Sequence, residues 1–455
     1  MKNPKRIPTG IPGLDEIING GFIEGSIILV AGHPGAGKTT LAATFVYNGI
    51  TKHGETGVYL NFNESKSDFY SHMKNFSMDF AALEREGKFI YIDALTVASK
   101  KDLEDVFRIL IEKTLDLNAK RVVIDPITVV LSLMSPPDAR SLLANTIGKL
   151  FKGIGTTTML IADLSYGEMR VGHGVEEFVS DVVLILRSQI KKDRLERTIE
   201  IRKIRGSPIY FSLAPYVISE RGVEVISPLP VKIMGSFKDE TCPTGIDELD
   251  NLLGGGISQG SITVIVGPTG TDKTLLVLQI ALTNVLNENK KVLFLSFCES
   301  EEQLLKRLKI MGCECEKLAD RLKVVAINPF GISEYEILLV MRRMLREFKP
   351  DIYIIDGLEV FHLALGTERF FNYVFRRLFE LKNAGITTII TMNADYPEEK
   401  IYLDNLVDNI LVMKIIMREN RLEKYLYIWK LRGKKSPVTA LRFEENEKGR
   451  IKILK

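Results

Sequence analysis

The segment Gly32-His33-Pro34-Gly35-Ala36-Gly37-Lys38-Thr39 constrains this chain more than any other. It fits G-x-x-x-x-G-K-[ST] and lies between a short apolar run, Ile27 to Ala31, and a helical pattern, Thr40 to Tyr47. Strand, glycine-rich loop and helix in that order form a phosphate cradle. Glycines let backbone N–H groups face inward, and the helix presents its positive N-terminus to the anion. The stretch Gly32 to Thr40 is therefore the expected nucleotide-binding loop. Lys38 is placed to reach the β/γ-phosphates and the Thr39 hydroxyl to ligate Mg²⁺.

The same landmarks occur twice. Pro8-Thr9-Gly10-Ile11, Leu14-Asp15, Gly20-Gly21 and Gly25-Ser26 return as Pro243-Thr244-Gly245-Ile246, Leu249-Asp250, Gly255-Gly256 and Gly260-Ser261, an offset of 235 residues. That offset carries Gly32 to Gly267 and Lys38 to Lys273. So long a period marks a duplicated domain, not a solenoid. We expect one domain over 1–235 and a second over 236–455, with the boundary near Pro228 to Glu240.

In the first half the apolar runs are Ile27–Ala31, Val58–Phe62, Phe89–Asp93, Arg121–Asp125, Thr158–Ala162, Val182–Arg187 and Thr198–Ile204. Amphipathic segments such as Asp102–Leu117 and Ala139–Lys152 lie between them. Alternating strands and helices predict an α/β fold, a mostly parallel sheet flanked by helices. The last two runs, separated by a polar turn, predict an antiparallel hairpin at the sheet edge.

Sheets of this kind place ligands at the carboxyl ends of their strands. Asp125 and its counterpart Asp356 each end an apolar strand and are the expected Mg²⁺ aspartates, alongside Thr39 and Thr274; strand-end aspartates are also ordinary turn formers. Glu64 and Glu299 follow the earlier apolar runs Val58–Phe62 and Leu293–Phe297, where a carboxylate polarises an attacking water or, alternatively, serves as a first-turn acid favouring the helix dipole. Lys203 and Arg205, and Lys430 and Arg432, end the hairpin strands of the two halves. Residues two apart on a strand point the same way. Each pair fits a finger reaching a neighbouring subunit's phosphates, or a solvated basic edge that blocks strand addition.

Together the Pro-Thr-Gly-Ile opening, the P-loops, Gly172 to Asp181 and the Lys-x-Arg-Gly ends resemble the RecA superfamily and, within it, the KaiC-like proteins, named for the cyanobacterial circadian-clock protein. The resemblance covers nearly the whole chain. It implies two stacked RecA-like P-loop NTPase domains, ATP and Mg²⁺ bound between adjacent subunits, and a homo-oligomer, a hexameric double ring. It also implies hydrolysis aided in trans by Lys203 and Arg205, and by Lys430 and Arg432.

Several positions depart from that pattern. KaiC-like sites usually carry two glutamates past the second strand, but here the first position is Asn63 in one half and Cys298 in the other. An amide orients water but cannot take its proton, so hydrolysis is expected to be slow and to depend on Glu64. The second loop, Gly267-Pro268-Thr269-Gly270-Thr271-Asp272-Lys273-Thr274, has Asp272 where the first has Gly37. A carboxylate beside a polyphosphate repels it. Lys273 is expected to pair with Asp272, leaving the second domain weak in nucleotide binding or structural. Asp404-Asn405 stand where the clock protein's autokinase domain has serine and threonine acceptors, so clock-type phosphorylation is not expected. The chain stops at Lys455, without that protein's long tail.

The leading reading is an ATPase serving as a nucleotide-dependent signalling or assembly scaffold. A DNA-handling motor and a non-catalytic nucleotide-binding ring are the alternatives. The formal net charge of +3 gives nucleic acid no electrostatic support, although the stretch Leu164 to Gly174, with Arg170 and His173, fits a ring's pore. Four cysteines, all in the second half, and the lack of an 18-residue apolar run point to a cytoplasmic protein.

Overall fold

The computed structural model describes residues 4–164, 175–191, 194–227, 240–399, 401–419, 421–433, 437 and 439–454. The chain divides into two compact units, 1–229 and 230–455. The pore segment with Arg170 and His173, and the connection 228–239 between the units, lie outside the described residues.

The first unit is built on nine strands: β1 Ile27–Gly32, β2 Gly57–Asn61, β3 Phe89–Asp93, β4 Arg121–Asp125, β5 Thr157–Asp163, β6 Val182–Lys191, β7 Arg194–Ile204, β8 Leu213–Ser219 and β9 Gly222–Val225. Their order is β3-β2-β4-β5-β1-β6-β7-β8-β9. The first six run parallel, and β6 to β9 pair antiparallel. The expected hairpin is β6–β7. The sheet does not stop there, because β8 pairs with Thr198–Glu200 and β9 follows as a second hairpin. The run Leu213–Ser219 alternates buried and part-exposed residues around a proline, which hid it from a search for apolar runs.

Alternation on β1 shows how the sheet is sandwiched. Ile28 and Val30 pack with Phe45 and Val46 of helix Lys38–His53 on one face. Ile27, Leu29 and Ala31 pack with Val122, Ile124 and Phe151 on the other. A strand covered on both faces reads as continuous apolar sequence, and each fully buried side chain of this size contributes about 1.5–3 kcal/mol. The helix expected over Asp102–Leu117 runs Lys100–Asp116, started by a Ser99–Asp102 capping box. The stretch expected as Ala139–Lys152 is a short helix, Pro136–Ser141, continuing into a π-helical Leu142–Phe151.

The second unit repeats the plan with β10 Ile262–Val266, β11 Val292–Ser296, β12 Leu322–Ala326, β13 Ile352–Asp356, β14 Thr387–Met392, β15 Asn409–Arg418, β16 Arg421–Leu431, β17 Ala440–Glu445 and β18 Ile451–Leu454. The order β12-β11-β13-β14-β10-β15-β16-β17-β18 matches the first unit strand for strand. Each unit is thus a RecA-like α/β domain with an antiparallel hairpin beside a parallel core.

Candidate nucleotide sites

In the first unit the chain leaves β1 at Gly32 and enters the helix at Lys38. Gly35 and Gly37 have φ of 77° and 85°, a conformation that side chains resist. A Cβ on Gly37 would also come within 2.4 Å of Ile218 Cδ1. That methyl ends a flexible side chain and can shift, so it is the backbone angle that calls for glycine here. The buried Lys38 ammonium donates to Gly32 O at 2.9 Å and His33 O at 3.2 Å, and lies 3.2 Å from Asp163 Oδ1. His33 Nδ1 lies 3.0 Å from Leu164 O. Tyr216 OH donates to Ala36 O, tying the loop to β8. Curled onto carbonyls, with a half-exposed carboxylate as its partner, the lysine is free to exchange these contacts for a phosphate.

Asp125 ends β4 with 5% of its surface exposed. Its Oδ2 accepts from Thr39 Oγ1 at 2.9 Å and from Tyr59 OH at 2.7 Å. Burial pushes its carboxyl above the usual range, against the pull of those two bonds and of Lys38. The Thr39–Asp125 pair brings a hydroxyl and a hard carboxylate oxygen together, the donor set that suits Mg²⁺. Cradle, lysine and oxygen pair together fit a magnesium nucleotide.

Past β2, Asn61 Oδ1 accepts from Asn63 N at 2.8 Å and Glu64 N at 3.0 Å, shaping the turn. The Glu64 carboxylate pairs with His72 Nδ1 on helix Lys66–Lys74. Glu299 makes the matching contact eight residues on, with Arg307 Nε at 3.3 Å. Burial raises the Glu299 carboxyl, with a smaller push from Asp356 and opposition from Arg307. Both glutamates are thus held by a basic residue of the following helix.

The Lys-x-Arg pairs lie at the other end of the sheet. Lys203 is level with Val183, and Val183 with Leu29 of β1. Arg205 N donates to Asp181 O, and Asp181 N to Ile27 O. Arg205 therefore stands level with Ile27, five residues before Gly32, about 16 Å at ~3.3 Å per residue. Lys203 Nζ donates to Glu177 O at 2.8 Å, and Arg205 pairs with Asp181 Oδ1 at 2.8 Å. Burial, reinforced by the Arg205 charge, lowers the Lys203 pKa. The second unit repeats this: Lys430 donates to Asp404 O and Val407 O, and Arg432 pairs with Asp408. Asp181 and Asp408 thus hold the arginines. Each further accepts a strand N–H, from Ile27 at 3.1 Å and Ile262 at 3.0 Å.

In the second unit Lys273 donates to Gly267 O at 2.7 Å and Pro268 O at 2.9 Å, the pose of Lys38. The expected Lys273–Asp272 pairing is not what forms. Asp272 pairs with Lys424 on β16, because it sits in the left-handed region (φ 63°) at the helix start, facing that strand. An aspartate in that conformation costs about 1–3 kcal/mol relative to glycine. Thr274 Oγ1 donates to Asp356 at 3.1 Å, and Ser296 and Thr391 donate at 3.1 and 2.7 Å. The Cys298 thiol is pushed up to about 12 by burial and by the charges of Glu359, Asp356 and Glu299.

Asp163, Tyr59, His72, Lys424 and Glu359 were missed as site residues. Asp163 had a signal, since it ends an apolar strand as Asp125 does. The others did not, because no local pattern separates them from packing or surface residues.

The family described as "ATPase: KaiC" matches residues 7–229 and again 242–455. This chain therefore belongs to the KaiC ATPase family. Proteins named circadian clock oscillator protein KaiC are similar along their length. That of Prochlorococcus marinus (strain MIT 9313) is 29% identical over 447 residues, 94% of this chain and 89% of the relative. That of Synechococcus elongatus is 29% identical over 462 residues, 98% and 88%. That of Thermostichus vulcanus is 30% identical over 447 residues, 94% and 85%. No described helix is long and apolar enough to cross a membrane.

Proposed function

We propose that this protein is an oligomeric ATPase that binds Mg-ATP at its first P-loop, hydrolyses it slowly and serves as a nucleotide-dependent scaffold. The observation that carries this reading is the distance within one unit between the P-loop and the Lys203–Arg205 pair. Those side chains cannot reach their own loop, so a site with a basic finger needs a second copy. The exposed Phe178, beside the carbonyl that Lys203 holds, is consistent with a face that another copy covers.

In this reading the N–H groups of Gly35 to Thr39 and the Lys38 ammonium hold the phosphates, and Thr39 and Asp125 hold Mg²⁺. The metal supplies charge neutralisation on the transferred phosphoryl group. Asn63 orients the attacking water. Glu64 takes its proton once it leaves His72, which makes base delivery a conformational step and the turnover slow. Lys203 and Arg205 of a neighbouring subunit offset charge developing on the phosphoryl oxygens. The scaffold role of this chain is separate from timekeeping, since Asp404-Asn405 offer no hydroxyl acceptors.

Light-scattering mass with and without Mg-ATP, with phosphate release from the same sample, tests the reading. We expect a multiple of the 51.2 kDa chain mass together with slow turnover. Mixing inactive Lys38→Ala with inactive Arg205→Ala protein should restore part of the activity, because some interfaces then pair an intact loop with an intact finger. A monomer without turnover overturns the reading.

A further inference from the structure

Asp181 joins β1 to the finger, and the proposed reaction gives it no task. It immediately precedes β6, and its side chain is 9% exposed. Its N–H donates to Ile27 O at 2.8 Å, and its Oδ2 accepts the Ile27 N–H at 3.1 Å. Its carbonyl accepts the Arg205 N–H at 2.8 Å, and its Oδ1 accepts Arg205 Nη1 at 2.8 Å. One residue therefore holds β1 twice and Arg205 twice, each time once by backbone and once by side chain. Lys152 Nζ stands 3.4 Å from Oδ2 as a second cation.

The second unit repeats each of these contacts. The Asp408 N–H donates to Ile262 O at 2.8 Å, and its Oδ2 accepts the Ile262 N–H at 3.0 Å. Its carbonyl accepts the Arg432 N–H at 2.9 Å, and its Oδ1 accepts Arg432 Nη1 at 3.2 Å. Lys382 Nζ lies 2.6 Å from the same Oδ1. A tight turn needs no carboxylate that grips a strand N–H and two cations at once, so the side chain has work beyond shaping the chain.

The hold leaves the finger able to act. The Arg205 side chain is 57% exposed, and within its guanidinium only Nη1 is bonded among the described residues. The rest of the donor fork is left for a phosphate. Lys152 shares the carboxylate, so Asp181 does not by itself cancel the Arg205 charge. A long, exposed side chain otherwise loses its rotamer freedom when it meets a phosphate; fixing it beforehand removes that loss.

We propose that Asp181 is the positioning residue of the first-unit finger. Anchored at the start of β1, it holds the Arg205 guanidinium in the orientation that meets a neighbouring subunit's nucleotide. Asp408 stands in the same relation to Arg432. This rests on the reading that Arg205 acts in trans.

The test uses the full-length chain with Asp181→Asn. The amide oxygen keeps the Ile27 bond, and an NH₂ replaces the oxygen that held the guanidinium. Phosphate release should fall between about ten- and a hundredfold, with affinity for a fluorescent ATP analogue within a few-fold of wild type. Adding Asp181→Asn to Arg205→Ala should lower the rate no further, since nothing is left to position. Mixing experiments separate positioning from a structural fault. Asp181→Asn brings an intact loop, so mixed with Lys38→Ala it should regain activity; mixed with Arg205→Ala it should not, because neither brings a placed finger. Asp181→Glu, which keeps the charge but displaces it by one methylene, should show the same pattern more weakly and decides the matter if the amide variant does not fold. Turnover at or above the wild-type rate, or rescue by Arg205→Ala and not by Lys38→Ala, overturns the proposal. Lys38→Ala and Arg205→Ala that fail to restore each other would instead remove the finger reading on which it rests.

Discussion

The two units share a strand order, a lysine pose, a Thr–Asp pair and a Lys-x-Arg landing, yet differ at the positions that set charge. Gly37 corresponds to Asp272, Thr128 to Glu359 and Asp163 to Asn393. The donors to the strand-end aspartate change as well. In the first unit Tyr59, on β2, reaches across to Asp125. In the second, Phe294 occupies that strand position, and Ser296 and Thr391 donate instead. One frame therefore holds two electrostatic solutions. Apolar alternation on the strands fixes the frame, and a handful of polar side chains at the strand ends decide what each cradle takes.

The largest expected effect comes from the finger pairs. Arg205→Ala should lower phosphate release by about a thousandfold while leaving nucleotide affinity within a few-fold, as a group acting on transition-state charge does. Arg432→Ala should leave turnover within about twofold if the second site does not hydrolyse. Single-turnover rates alongside equilibrium binding separate the two effects. Equal losses from both substitutions would break the proposed asymmetry between the units.

A smaller effect is expected at the turn after β2. Asn63→Glu places a carboxylate where the family usually has one, and this one is not held by His72. Turnover should rise about tenfold, the low end for a positioned base. Cys298→Glu in the second unit should leave turnover unchanged if Asp272 keeps nucleotide out of that loop. A rise there would show that the second loop already holds nucleotide and lacked only a base.

The fold was legible because strand runs buried on both faces are continuous, and because the duplication let each half check the other. Asp125, Lys38 and Thr39 were legible because chemistry and position coincide in a motif. What stayed hidden depends on pairing across the fold. His72 lies eight residues from Glu64 on a polar helix, and nothing in its spacing marks it as a partner. Lys424 is 152 positions from Asp272 and meets it only because β16 folds back past the loop. The strands β8 and β17 escaped because half-exposed strands break the apolar run that a buried strand displays.

The smallest effect separates the two aspartates by pH. Burial holds Asp125 above its unfolded value of about 3.9. An acid with a raised folded pKa gives stability that is fully present below the unfolded pKa and is lost as pH rises through the folded one. Without Mg²⁺, Asp125→Asn should therefore stabilise the protein at neutral pH by a few degrees in midpoint, and the gain should shrink as pH falls. The amide can take this place because Tyr59 and Thr39 both donate to the same oxygen, Oδ2, so one amide oxygen keeps both bonds. Asp356 differs, since Ser296 donates to Oδ2 and Thr391 to Oδ1. An asparagine there turns an NH₂ toward a hydroxyl donor and forfeits a buried bond, about 1 kcal/mol or more. Asp356→Asn should then be neutral or destabilising at every pH. Thermal melts of both variants from neutral pH towards pH 5 check this, and matching profiles would mean that the two carboxylates, for all their different donors, sit in equivalent environments.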